Sequence, residues 1–358
     1  MKIVVASLNP SIDWQMTVKG FVYGGLNRVA ATYRYASGKG INVCAALKNL
    51  GLDPLCVGFN FRENGGSITN ALDKWGVRHD FVTVDGAIRT NIKLYDAGTM
   101  TELNQSGATV SDEAVALLYD KIMTIGLGGG ESASILVLCG STPPGVPVDF
   151  YKRLCEDWPG TVILDAEGEA LKLAVQGSRP PFCIKPNIFE LESSFGVSFT
   201  SKGHGLYEEI AAFCGGLVRQ TCTAIAGLHT RDAGLGVICV SLGAKGAMLV
   251  TGDGAYYMPQ LDLPVRGLQG AGDAMVAGLV YGLAGTGSGD IGIDDIESDN
   301  IEIDNSAVNN SEINTTARLL KIASAAAAAT VIREGTEMCT REDFIKYLAL
   351  LPKPYLVH

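Results

Sequence analysis

Short β-branched runs alternate along most of the chain with longer segments of helical period: "KIVVASL" (2–8), "LCVGF" (55–59), "SILVLCG" (134–140), "TVILDA" (161–166), "PFCIKPN" (181–187) and "LGVICVSLG" (235–243). Strands that are apolar without alternation are buried on both faces, and the helices between them carry the chain back across the sheet. The spacing therefore predicts an α/β fold, a mostly parallel central sheet with helices on both faces. Several runs stop in polar or glycine residues: Asn9, Ser141, Asp165, Asn187 and Gly243. Ligands in such sheets bind beyond the carboxyl ends of the strands, which is where these residues fall.

Two stretches break the rhythm. Residues 11–37 and 89–106 show strand-like alternation with Gly-rich turns and no helix between. They predict a small antiparallel β-sheet projecting from the core, either an ordinary surface hairpin pair or a lid that closes over substrate. The core is then assembled from residues 1–10, 38–88 and 107–358. A third stretch, 286–316, separates two helical patterns and holds eight acidic residues between Asp290 and Glu312. It fails as an EF-hand, because no placement combines glycine at loop position six with glutamate at twelve. It is expected to be a solvated acidic insertion on the core surface.

A chain of 358 residues, 47% of them hydrophobic, can bury a large core. No apolar run reaches the roughly 18 residues that cross a bilayer, and "MKIVVASLNP" turns polar too soon for a secretory signal. A cytoplasmic protein without membrane contact is expected. The nine cysteines form no CxxC pair and lie mostly within apolar runs, as buried free thiols do. A net charge of −10 argues against nucleic acid, and without the acidic stretch only −2 remains. That balance leaves room for a local basic site that takes an anionic ligand.

In "GLQGAGDAMVAG" (267–278), Gly270, Ala271 and Gly272 open a helical pattern. Nothing bulky there obstructs the first-turn N–H groups or the positive end of the helix dipole, which suits an anion. Asp273, next in line, is either a helix cap or the acceptor of a proton from a hydroxyl attacking beside that anion. "KPNIFE" sets Asn187 and Glu190 three apart, as hard oxygens for Mg²⁺ through water or as a cap with its first-turn glutamate. "SLGAKGA" places Ser241, Gly243 and Gly246 at a strand end, as a plain turn or for close approach to a nucleotide. Asp13 in "NPSID" suits sugar hydroxyls, and "SGKGIN" offers Gly38, Lys39, Gly40 and Asn42, as contacts or as the opening of a helix.

Together with "SLNPSID" (7–13), "ASGKGINVCAALKNLG" (36–51), "IRTNIKLYD" (88–96), "LCGSTPPGVP" (138–147), "LDAEGEAL" (164–171), "IKPNIFEL" (184–191) and "VSLGAKGAML" (240–249), this segment resembles the ribokinase-like (PfkB-type) carbohydrate kinases. The resemblance runs in the family's order over nearly the whole chain, apart from the acidic insertion. It implies an ATP- and Mg²⁺-dependent kinase with a β lid, in which Asp273 is the base and Gly270, Ala271 and Gly272 form the anion hole. It implies that Asp13, Gly38, Lys39 and Asn42 hold the sugar, and that Lys185, Asn187, Glu190, Ser241, Gly243 and Gly246 serve the nucleotide. Asn187 and Glu190 would handle Mg²⁺ through water.

"RTNIK" resembles the phosphosugar branch, in which Arg89 and Lys93, with Lys39 and Ser141, would surround a phosphate already on the substrate. The implied ligand is a small sugar phosphate. Fructose 1-phosphate going to fructose 1,6-bisphosphate is the leading expectation, with tagatose 6-phosphate as the alternative. A homodimer through paired lids is also implied, with Arg28 reaching across it. The reading from another class is a catalytically weak sugar-phosphate sensor. Three departures from the family pattern stand out: Ser37 in place of glycine, the bulky "FNFRENGG" (59–66), and Leu268-Gln269 where a small hydroxyl residue and an apolar one are usual.

Overall fold

The apolar runs become strands. In chain order these are β1 (Lys2–Ser7), β2 (Ser11–Val18), β3 (Val29–Ser37), β4 (Pro54–Phe61), β5 (Arg78–Val84), β6 (Arg89–Asp96) and β7 (Thr99–Asn104). There follow β8 (Ser134–Cys139), β9 (Thr161–Asp165), β10 (Cys183–Ile184), β11 (Val237–Ser241), β12 (Ala247–Val250), β13 (Ala255–Met258) and β14 (Tyr355–Val357). The computed structural model describes residues 1–128, 134–223, 234–267, 269–285 and 311–357.

Ten strands form the central sheet in the order β14-β13-β12-β11-β10-β9-β8-β1-β4-β5. From β5 to β11 every neighbouring pair is parallel. β12, β13 and β14 then add an antiparallel edge. Residues 3–7 of β1 and all of β8 are buried, as strands covered on both faces must be.

The helices Lys39–Asn49, Ala271–Gly285, Ser311–Val331 and Arg341–Leu350 pack successively against one another. Between the second and third of these, a Cβ at Gly278 would lie 2.8 Å from the Ala323 Cα. The close approach of the two helices therefore depends on that missing methyl. It anchors the helix that begins with the candidate anion turn.

The remaining four strands form a second sheet, ordered β3-β2-β6-β7. The expectation of a wholly antiparallel sheet needs correction, because β2 and β6 pair in parallel. The reason lies in the core: β1 and β5 run the same way in the central sheet, and each continues across its carboxyl edge into the small one. Register puts Ser11, Asp13 and Gln15 of β2 beside Arg89, Asn91 and Lys93 of β6, on one face. Ile12, Trp14 and Met16 share the opposite face with Ile92 and Leu94.

Residues 286–310 of the expected acidic insertion lie outside the described residues, as does Leu268. The end of that segment also needs correction, because the helix Ser311–Val331 starts inside it. Among the described residues, eight cysteines are buried free thiols. Burial pushes the Cys155 and Cys214 thiols well above their ordinary value. Among the described residues no helix is long and apolar enough to cross a membrane.

Candidate active site

Asp13, Gly38, Lys39, Asn42, Arg89, Lys93, Lys185, Asn187, Glu190, Ser241, Gly243, Gly246 and the turn Gly270, Ala271, Gly272, Asp273 all line one cavity of about 860 Å³. Ser141 is separate. It lines a second cavity of about 200 Å³ with Asn9 and Glu167, and the two cavities share Lys39, Arg89 and Asn91 as a common wall. Residues from both sheets meet here, beyond the carboxyl ends of the parallel strands.

The helix Ala271–Gly285 makes its first internal hydrogen bond from Ala274 N–H to the Gly270 carbonyl at 2.8 Å. The N–H groups of Ala271, Gly272 and Asp273 precede that bond, and they form the donor-rich end of the dipole. Asp273 is 8% exposed and accepts a 2.8 Å hydrogen bond from the Asn42 side-chain amide. Burial pushes its carboxyl up to about 6, and the Asp165 charge adds to the rise. The Asn42 bond and the Lys39 and Lys185 charges oppose it.

Asp165 has no role assigned by the sequence motifs. It ends β9, is 1% exposed, and accepts from Lys39 Nζ at 3.1 Å, while Lys185 Nζ lies 3.5 Å away. Burial alone would raise its carboxyl, but the two ammonium groups hold it below the ordinary range. Lys39 also reaches Glu190 at 3.2 Å. Burial favours the neutral amine, yet the Asp165, Glu190 and Asp273 charges outweigh it and hold Lys39 firmly protonated. Lys185 is fixed against the anion turn, where a methyl on Gly272 would sit 3.4 Å from its Nζ. The one signal in the sequence for Asp165 is its place at a strand end.

Glycines let the substrate side close up. Gly38 has φ of 112°, and a Cβ there would come within 3.0 Å of the Pro10 Cα. That backbone, open only to glycine, starts the helix Lys39–Asn49 directly against the connection from β1 to β2. Ser37 accounts for its departure from the family pattern: its hydroxyl donates to Asp13 Oδ2 at 3.0 Å. Asp13 also accepts from Ser11 at 2.9 Å and Asn91 at 3.2 Å. The bulky "FNFRENGG" stretch has a role too, since Asn64 Oδ1 takes the Ile88 N–H at 2.7 Å and so fixes the residue before Arg89.

Arg89 donates to the Asn9 and Gln105 carbonyls, both at 3.2 Å, and faces both cavities. Burial pulls its guanidinium below the ordinary value, and Asp13 opposes that shift. Arg89 and Lys93, four apart on β6, both line the larger cavity, and only Arg89 also reaches the smaller one. The Lys93 ammonium pairs with Glu102 at 2.7 Å, so its charge is already matched. Arg28 is exposed and lines neither cavity.

At the other end, Asn187 and Glu190 form a reciprocal cap on the helix Ile188–Phe195, each accepting the other's backbone N–H at 2.8 Å. Each of the capping oxygens keeps a lone pair, so the pair still fits a cation held through water. Ser241 bridges to Asn187 at the end of β11. Gly246 closes the following turn with φ of 97°, where a Cβ would lie 2.0 Å from the Met258 carbonyl oxygen. Leu242, Met258, Leu261, Ala327 and Val331 give this part of the cavity an apolar lining.

Comparison with known proteins gives the family and the fold. Residues 2–343 match the model of the pfkB family carbohydrate kinases. The chain is 33% identical over 285 residues to the 1-phosphofructokinase of Bacillus subtilis, covering 79% of this chain and 86% of that protein. It is similar to the crystal structure of a putative phosphofructokinase from Staphylococcus aureus, with a TM-score of 0.70 and 26% identity over 99% of this chain and 100% of that one. The fold also matches Escherichia coli phosphofructokinase-2 in complex with substrates and products, with a TM-score of 0.78 and 22% identity over 98% and 99% of the two chains.

Proposed function

The chain belongs to the pfkB family of carbohydrate kinases, and from that premise we propose that it transfers the γ-phosphoryl group of ATP to fructose 1-phosphate, giving fructose 1,6-bisphosphate. One observation carries the reading. A buried carboxylate, Asp273, and the N-terminus of its helix face one cavity, and a second cavity lined by Lys39, Arg89 and Ser141 adjoins it. Such a pair of rooms suits a substrate that already bears a phosphate at one end and is phosphorylated at the other.

In this mechanism Asp273 accepts the proton of the attacking hydroxyl. The N–H groups of Ala271, Gly272 and Asp273 stabilise charge gathering on the transferring phosphoryl oxygens, with Lys185 beside them. Asp165 acts through the two lysines: it holds Lys39 and Lys185 in place and raises the basicity of Asp273. Arg89, Lys39 and Ser141 hold the existing phosphate, and Asp13, Gly38 and Asn42 face the sugar. Ser241, Gly243 and Gly246 admit the nucleotide along the apolar end of the cavity. Mg²⁺, held through water by Asn187 and Glu190, would neutralise nucleotide phosphate charge.

The small sheet is the lid over this site. The face of the sheet turned from the cavity carries Trp14, Ile92 and Leu94, and Phe21, Tyr23 and Leu26 in the connection from β2 to β3 are exposed. A second copy of the chain covers that face in the proposed dimer, bringing the partner's Arg28 toward the phosphate. Light scattering of the intact protein tests the dimer. Side-by-side rates on fructose 1-phosphate and tagatose 6-phosphate test the substrate: faster turnover of tagatose 6-phosphate would overturn the assignment.

A further inference from the structure

Two carboxylates on the lid's inner face border the large cavity, and they differ in what they have left to offer. Asp13 is 5% exposed, and Ser11, Ser37 and Asn91 already donate to its two oxygens. A carboxylate has about four acceptor positions, so one remains. Glu102, directly opposite Lys93 in the β6–β7 register, is more open, with 37% of its side chain exposed. Its Oε2 takes Lys93 Nζ at 2.7 Å and the Asn104 amide at 3.3 Å. Neither donor binds its Oε1.

We propose that Glu102 is a substrate-selecting residue that receives a hydroxyl of the sugar phosphate at its Oε1, in a geometry set by Lys93 and Asn104. The inference rests on the sugar-phosphate kinase reading and adds a residue to it. Lys93 is 7% exposed and its charge is already matched by Glu102, so the pair presents the cavity with an acceptor rather than a cation. Burial would raise the Glu102 carboxyl, but the Lys93 bond and charge and the Asn104 bond hold it below the ordinary range. It is ionised at neutral pH and can only accept. Phosphate is thereby repelled, and a neutral hydroxyl that donates is favoured. Because both partners fix the carboxylate beforehand, little side-chain entropy is lost when the hydroxyl binds.

The test compares the parent with Glu102→Gln and with the double variant Lys93→Met/Glu102→Leu, which leaves no unpaired buried lysine. Substrates are fructose 1-phosphate and its 3-deoxy and 4-deoxy analogues. A hydrogen bond to a charged group predicts that one analogue loses roughly 10- to 100-fold in kcat/KM with the parent. In Lys93→Met/Glu102→Leu, which has no acceptor there, that analogue should match fructose 1-phosphate to within about threefold; in Glu102→Gln, whose neutral amide oxygen still accepts, the selectivity should shrink to less than about tenfold, with KM for ATP unchanged in both. A pair that only staples β6 to β7 would leave the deoxy selectivity as it was. Parental selectivity kept in both variants overturns this proposal alone. No turnover by the parent on any ketohexose phosphate overturns the substrate reading and this proposal with it.

Discussion

The Asn42 side-chain amide donates to Asp273 Oδ2 at 2.8 Å, joining residues 231 positions apart at the start of two packed helices. The bond favours the ionised carboxylate and opposes the upward shift that burial imposes. Asn42→Ala should therefore move the Asp273 titration to higher pH. The acid limb of kcat/KM, expected near pH 6 in the parent, should shift upward, with roughly tenfold lower kcat/KM at pH 6.5. A pH–rate profile checks this.

The same carboxylate weakens the fold at neutral pH. Its value rises from 3.8 to about 6 on folding, so the protonated state favours the native protein. The associated cost is absent below pH 4 and complete above pH 6. Asp273→Asn should raise stability by about 2–3 kcal/mol at pH 8. The gain should shrink to a small fraction by pH 4, as urea denaturation at both pH values would show.

Asp165→Asn removes the charge that matches the buried Lys185 and the partly exposed Lys39, and should destabilise the protein by about 2–3 kcal/mol, less than a fully buried pair because Lys39 is solvated and keeps Glu190. It also removes a negative neighbour of Asp273. The acid limb should consequently move to lower pH, opposite to the effect of Asn42→Ala. Thermal melts and a pH–rate profile on one preparation measure both effects.

Arg89→Ala should raise KM for the sugar phosphate tenfold or more, since it removes a charge-assisted contact. KM for ATP should stay within about twofold, because Arg89 lies at the wall between the two cavities and away from the apolar end. Steady-state kinetics with each substrate varied in turn separate the two effects.

The inner strands β1, β4, β8, β9 and β11 were legible because they are apolar nearly throughout, a pattern that two-sided burial explains. The edge strand β5, with Arg78, His79 and Asp80 and alternating exposure, carries no such signal. The edge strands β12, β13 and β14 are too short to declare themselves. The parallel pairing of β2 with β6 follows from how β1 and β5 lie in the core, which no local pattern encodes. In the site, the glycine turns at Gly38, Gly246 and Gly270 were visible as motifs. Asp165 and Glu102 were not, because their roles come from lysines 126 and 9 positions away that meet them only after folding. The partner of Lys93 was hidden for the same reason: its type suggests a phosphate ligand, and nothing local points to Glu102.

ADP release from ATP and fructose 1-phosphate, compared between the parent and Asp273→Asn, tests the role of Asp273 most directly. The parent should form ADP and fructose 1,6-bisphosphate in equal amounts. Asp273→Asn should lose roughly 10²- to 10⁴-fold in kcat with little change in KM. A parent that turns over no sugar phosphate, or a variant that keeps the parental kcat, would contradict that role.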